Sequence, residues 1–170
     1  MCYSKLKWRK FKPSNKFTDF AKGLNTITKL SDYIGKNFKY VADKTGFFGD
    51  YWKTPEEMWE DGYGDCDDHA IFCLYILTEV IGIEANMVTC SGYFIDKEGN
   101  LKKNGHAVCV FKDGVKWGIF SNNIFSYSGG TIEDIGKKYY PKGLSYMEVI
   151  DKNGKTVKVK FPKYLFWGTF

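Results

Sequence analysis

The stretch Gly64-Asp65-Cys66-Asp67-Asp68-His69-Ala70 constrains this chain more than any other. Asp65 is a strong helix N-cap residue, and Asp68 three positions on completes an acidic variant of the capping box. Gly62 and Gly64 give the chain a flexible approach to that cap. An apolar run from Ala70 to Val80 or Ile81 follows at helical spacing and is stopped by Gly82. Cys66 is thereby set where free backbone N–H groups and the positive end of the helix dipole converge. A thiol in that position is biased toward thiolate, the nucleophilic form.

Composition bounds what can surround this helix. A chain of 170 residues is one domain, read here as a basic lead-in over 1–19 and a single domain over 20–170. Such a chain hides roughly 70% of its unfolded surface, and an aromatic share of 18% means large rings fill much of the core. The net charge of +5 comes from dispersed lysines with a denser group at Lys5, Lys7, Arg9, Lys10 and Lys12. A run of this kind reads as a solvated tail, and nucleic acid is not an expected partner. The five cysteines form no evenly spaced framework, which suits a reducing compartment. Met1-Cys2-Tyr3-Ser4-Lys5 lacks a signal-peptide apolar core, and no stretch approaches a membrane span, so the expected location is cytoplasmic.

Along the chain, Phe20, Leu24, Ile27, Leu30, Ile34 and Phe38 predict one amphipathic helix that tolerates Gly23 and Gly35. Lys39 to Asp50 reads as a loop. Thr54, Pro55 and Glu57 form a capping box with proline at the first helical position, opening a short helix that ends near Asp61-Gly62. After the Cys66 helix the pattern changes to strands. Ala85–Phe94 ends in a turn at Asp96–Gly99, Gly105–Phe111 is a strand, and Asp113-Gly114 is a hairpin dipeptide returning as Val115–Ser121. Asn122–Gly130 reads as a loop. Thr131 caps a short helix to about Tyr140, and Tyr146–Asp151 and Thr156–Phe161 form a last hairpin. Helices followed by an antiparallel sheet make the class α+β.

A cysteine nucleophile needs a base, and only His69 and His106 are available. His69 lies one turn after Cys66 on the same helix, and His106 lies on a strand 40 residues later. The order Trp52-x-Thr-Pro-x-Glu57, Gly-Asp-Cys66-Asp-Asp68-x-Ala70, Gly82-Ile83 and His106-Ala-Val-x-Val, then an aromatic-led strand ending in Asn122, resembles the bacterial transglutaminase-like cysteine peptidases. These belong to the transglutaminase-like, papain-fold group. The resemblance implies a thiol at the start of a central helix packed on an antiparallel sheet that carries the histidine. It makes Cys66 the nucleophile and His106 the base, with Trp52 and Asp65 as cleft-forming, substrate-binding positions.

The family's third residue is an acid on the strand after the histidine. Here Trp117-Gly118-Ile119-Phe120-Ser121-Asn122 puts Ser121 at that position. A two-residue Asp113-Gly114 turn would pair Lys112 with Val115 and set His106 opposite Ser121; a three-residue loop would set it opposite Asn122. Either partner is uncharged, although asparagine can orient an imidazole. Asp67 and Asp68 read as helix capping and dipole complement.

Cys66-x-x-His69 and His106-x-x-Cys109 mimic zinc-ligand spacing, but His106 and Cys109, three apart on a strand, point to opposite faces and cannot easily share one ion, so zinc is not expected. The leading expectation is cysteine-dependent acyl transfer on a peptide or protein substrate, as a peptidase, an amidase or a transglutaminase-type enzyme, with no metal or organic cofactor. The alternative is a catalytically weak or inactive module that holds a peptide or cell-wall glycopeptide with Trp52, Trp59, Tyr63 and Trp117.

Overall fold

The computed structural model describes residues 11–43 and 51–160. The basic residues Lys5, Lys7, Arg9 and Lys10, the stretch Met1-Cys2-Tyr3-Ser4-Lys5, Thr45-Gly46 and the end of the last strand at Phe161 lie outside the described residues.

The amphipathic stretch read as one helix is two, α1 (Asn15–Lys22) and α2 (Ile27–Asn37). Each carries its own N-cap. The Ser14 hydroxyl accepts from the Phe17 N–H and the Thr26 hydroxyl from the Lys29 N–H. Periodicity alone could not show the break, because both helices bury the same phase of apolar residues: Phe17 and Ala21, then Leu30 and Ile34. A local cap at Thr26, following Gly23, outcompetes helix continuation. α1 also begins inside the stretch read as lead-in.

The rings do fill this side of the core. Phe17 lies 5.6 Å from Trp59, 5.6 Å from Tyr75 and 6.4 Å from Phe72, measured between ring centroids. The short strand β1 (Lys39–Tyr40) follows α2 and pairs in parallel with β2 (Tyr63–Gly64), which leads directly to Cys66. Between them stands α3 (Pro55–Asp61), opened by the expected Thr54–Glu57 capping box and closed by Gly62 in the left-handed region. α4 (Cys66–Tyr75) then continues without a break as a π-helical segment (Ile76–Ile81) to Gly82.

The remainder is a six-stranded antiparallel sheet: β3 (Ala85–Ile95), β4 (Leu101–Asp113), β5 (Lys116–Ser121), β6 (Ile124–Ser128), β7 (Gly143–Ile150) and β8 (Thr156–Lys160). Their spatial order is β6-β5-β4-β3-β7-β8. β6 occupies most of what was read as the loop 122–130. Alternation divides the sheet between two cores. Met87, Ala107, Cys109, Phe111 and Phe120 share a cluster with α4, while Val88, Cys90, Val108, Val110 and Ile119 share one with α5 (Ile132–Tyr139).

The hairpin register differs from both expected ones. Asp113 pairs with Lys116 and Lys112 with Trp117, so the loop is Gly114-Val115. Gly114 takes φ 57° at the first loop position, as a type II′ turn requires. Two contacts select this register over Asp113-Gly114. The Lys112 Nζ lies 4.7 Å over the Trp117 ring, and the Asp113 carboxylate accepts from the Tyr127 hydroxyl of β6 at 2.9 Å, which holds Asp113 in the strand.

Candidate active site

The thiol is positioned by a chain of local bonds. Asp65 caps α4 by accepting from the Asp67 N–H, and Asp68 returns a carboxylate oxygen to the Asp65 N–H at 3.2 Å. The other Asp68 oxygen accepts from the Lys53 N–H at 2.7 Å, so the fully buried Asp68 ties the segment before α3 to the first turn of α4. Trp52, the residue before that tether, is half-buried and packs on the helical core, as Cys66 does. Gly64 allows the close approach. A Cβ built there would stand 2.5 Å from Asp68 Oδ2 and 2.8 Å from the Met58 sulfur. Cys66 itself is partly exposed, while Cys73, Cys90 and Cys109 are buried. Burial pushes the Cys90 thiol up to about 12 and raises Cys73 and Cys109 well above the ordinary thiol range, so those three stay protonated.

Asp68 has an unusual carboxyl. Burial, with a smaller push from Asp65, pushes it up to about 7 despite the opposing N–H bonds. The oxygens of Asp65, Asp67 and Asp68 lie within 4.8 Å of one another, the one group of such ligands gathered among the described residues. The side chains of Asp65 and Asp68 serve the capping box and the Lys53 tether.

His106 lies within β4, where alternation puts it on the face that carries Val108 and Val110. Its Nε2 lies 2.9 Å from the Ser121 Oγ, so of the two expected partners the structure brings Ser121 to the ring. The contact is diagonal rather than directly across, because the register that pairs Cys109 with Phe120 offsets His106 from Ser121 by two residues. Asn122 instead turns into the left-handed region at φ 51°, which asparagine tolerates, and starts the return into β6. Its backbone faces the ring of His69, as do those of Lys39 and Gly64. The Ser121-Asn122 corner therefore touches the His106 ring through Ser121 and the His69 ring of α4 through the Asn122 backbone. No hydrogen bond between the Cys66 sulfur and the His106 ring is found among the described residues.

Both histidines are held neutral by burial, which drives His106 down to about 4 and lowers His69. His69 is 1% exposed and meets Phe38 edge-on, as a packed helix residue would. Trp59 and Trp117 are half-buried against the two cores. Two functional candidates escaped the sequence reading. Tyr40, on β1, is 53% exposed, and its phenol is held above its usual value first by burial and then by Cys66 and nearby aspartates. Tyr139, the last residue of α5, packs edge-on against the His106 ring at 4.7 Å. Neither lies near the site in sequence, and only the sheet order and the β1–β2 pairing bring them in.

The transglutaminase-like superfamily core matches residues 16–121, from α1 to the residue that bonds His106. The chain belongs to the transglutaminase-like superfamily. Among solved structures it is similar to LapG of Legionella pneumophila, at 18% identity and a TM-score of 0.51 over 87% of this chain and 77% of that one. The EGTA-treated form of LapG aligns at 18% identity and 0.50, over 88% and 81%. A candidate cysteine protease from Cytophaga hutchinsonii aligns at 15% and 0.44, over 91% and 57%. No curated protein matches the chain significantly. The family match and the likeness to LapG show the fold, a transglutaminase-like, papain-like α+β architecture. Among the described residues no helix is long and apolar enough to cross a membrane.

Proposed function

We propose that this transglutaminase-like chain is a cysteine-dependent acyl-transfer enzyme acting on a peptide or protein amide. The reading is supported by the partly exposed Cys66 at the first position of a doubly capped α4, and by a histidine on β4 whose Nε2 is already engaged by Ser121. Engagement of Nε2 leaves Nδ1 as the nitrogen that takes the thiol proton. Cys66 Sγ attacks the carbonyl carbon, and the Cys66 N–H with a neighbouring donor at the α4 N-terminus stabilises the oxyanion. The proton passes from His106 to the leaving amine as the C–N bond breaks. Water, or a second amine, then resolves the thioester. Trp52 and Asp65 frame the acyl site.

The binding-module reading rests on a specific observation too: a serine stands where an acid would hold the imidazolium, and burial already disfavours that cation. Iodoacetamide separates the two. An activated pair gives Cys66 alkylation at neutral pH on the order of tenfold faster than a free thiol, lost in His106→Ala. Alkylation at the free-thiol rate, unchanged by the substitution, supports the binding module.

A further inference from the structure

The missing acid leaves a physical question, namely what fixes the tautomer and plane of His106. The described groups around it are few. Cys90 stands directly opposite on β3, its thiol protonated and held against the His106 carbonyl at 3.5 Å. Ser121 approaches from β5 and Tyr139 from α5. No carboxylate and no lysine is among the groups that shift the imidazole. Tyr139 is half-buried against the sheet face that carries Val108 and Val110, the face to which alternation directs His106. Its ring lies 4.7 Å from the imidazole at 60°, beside the Ser121 hydroxyl that bonds Nε2, and that hydroxyl lowers the Tyr139 phenol against the larger raising effect of burial.

Building on the acyl-transfer reading, we propose that Tyr139 is a positioning residue that takes over the orienting part of the absent carboxylate, acting on His106 through Ser121. A serine hydroxyl has one proton and can either accept from Nε2–H or donate to a bare Nε2. Only the first leaves Nδ1 free to take a proton from the thiol. The Tyr139 oxygen decides between them. When Ser121 donates its proton to the phenol oxygen, it presents a lone pair to Nε2–H and holds the imidazole in the productive tautomer. The edge-on ring contact fixes the plane. The relay Tyr139–Ser121–His106 consists of dipoles with no full charge, so it orients the ring but supports the imidazolium less than a carboxylate does.

The tautomer can be read directly. The imidazole 15N shifts of His106 report Nε2–H in the wild type and a change toward Nδ1–H in Tyr139→Phe, which keeps the ring and removes the hydroxyl. An unchanged tautomer in Tyr139→Phe overturns the proposal, whatever Cys66 does. A second arm uses Cys66 alkylation at neutral pH in wild type, Tyr139→Phe, Ser121→Asp and the double variant. Tyr139→Phe slows the wild-type reaction several-fold. In the Ser121→Asp background, where a carboxylate fixes Nε2–H by itself, the same substitution has no effect. Equal losses in both backgrounds assign Tyr139 to packing alone and overturn the relay. If wild-type Cys66 reacts only as a free thiol, the acyl-transfer reading fails, and the tautomer measurement still decides the role of Tyr139.

Discussion

Two buried groups of the site are expected to make stability depend on pH in opposite directions. Asp68 is raised from 3.8 to about 7, so its contribution is fully present below 3.8 and lost as pH rises toward 7. His106 is lowered from 6.5 to about 4, so its contribution is present above 6.5 and lost as pH falls toward 4. At about 1.4 kcal/mol per pH unit these spans correspond to upper bounds of about 4 kcal/mol for Asp68 and about 3 kcal/mol for His106. Partial solvation of the site reduces both. The two nearly cancel between pH 4 and 6.5, and the lowered His69 adds to the histidine side. The wild type should therefore show a shallow profile in urea unfolding across this range. Asp68→Asn should expose the histidine slope, with stability falling as pH drops from 6.5 to 4. His106→Leu should do the reverse, gaining stability relative to its own value at pH 7 as the solution is acidified. Slopes within each variant are compared, so a uniform loss of stability does not obscure the result. Parallel profiles for all three proteins would refute the assignment of these titrations to these residues.

Other consequences are sharper still to measure. Gly64→Ala forces a Cβ against Asp68 and Met58 and should destabilise the fold by about 1–3 kcal/mol, seen as a lower melting temperature. The same substitution should slow Cys66 alkylation, because the displaced Asp68 is the group that joins α4 to Lys53. Peptide mapping after brief iodoacetamide treatment should find Cys66 modified while Cys73, Cys90 and Cys109 remain intact, since burial keeps those three protonated and covered. Modification of Cys73 at a comparable rate would show that α4 opens from the sheet.

Much of this architecture was legible wherever a signal was local. The Thr54–Glu57 and Asp65–Asp68 capping boxes each reside in four consecutive residues, and both appear as expected. The change from helical to alternating periodicity after Gly82 likewise marked the sheet. What could not be read depended on distant partners. Whether Asp113 belongs to strand or turn was decided by Tyr127 on β6, a strand hidden in a stretch rich in serine and glycine. The register error that followed did not misplace Ser121, because a shift of two residues leaves a side chain on the same face of the sheet. Tyr139 carried no signal, since its relation to His106 exists only once α5 packs across β3 and β7.

The central proposal is that Cys66 and His106 act as one titrating unit. Because the chain holds two histidines, both ring titrations can be followed by NMR in one sample. The account predicts that Cys66→Ala shifts the His106 midpoint and leaves that of His69 in place, since removing the thiol removes the group that exchanges a proton with Nδ1. A His106 titration identical with and without the thiol would contradict it.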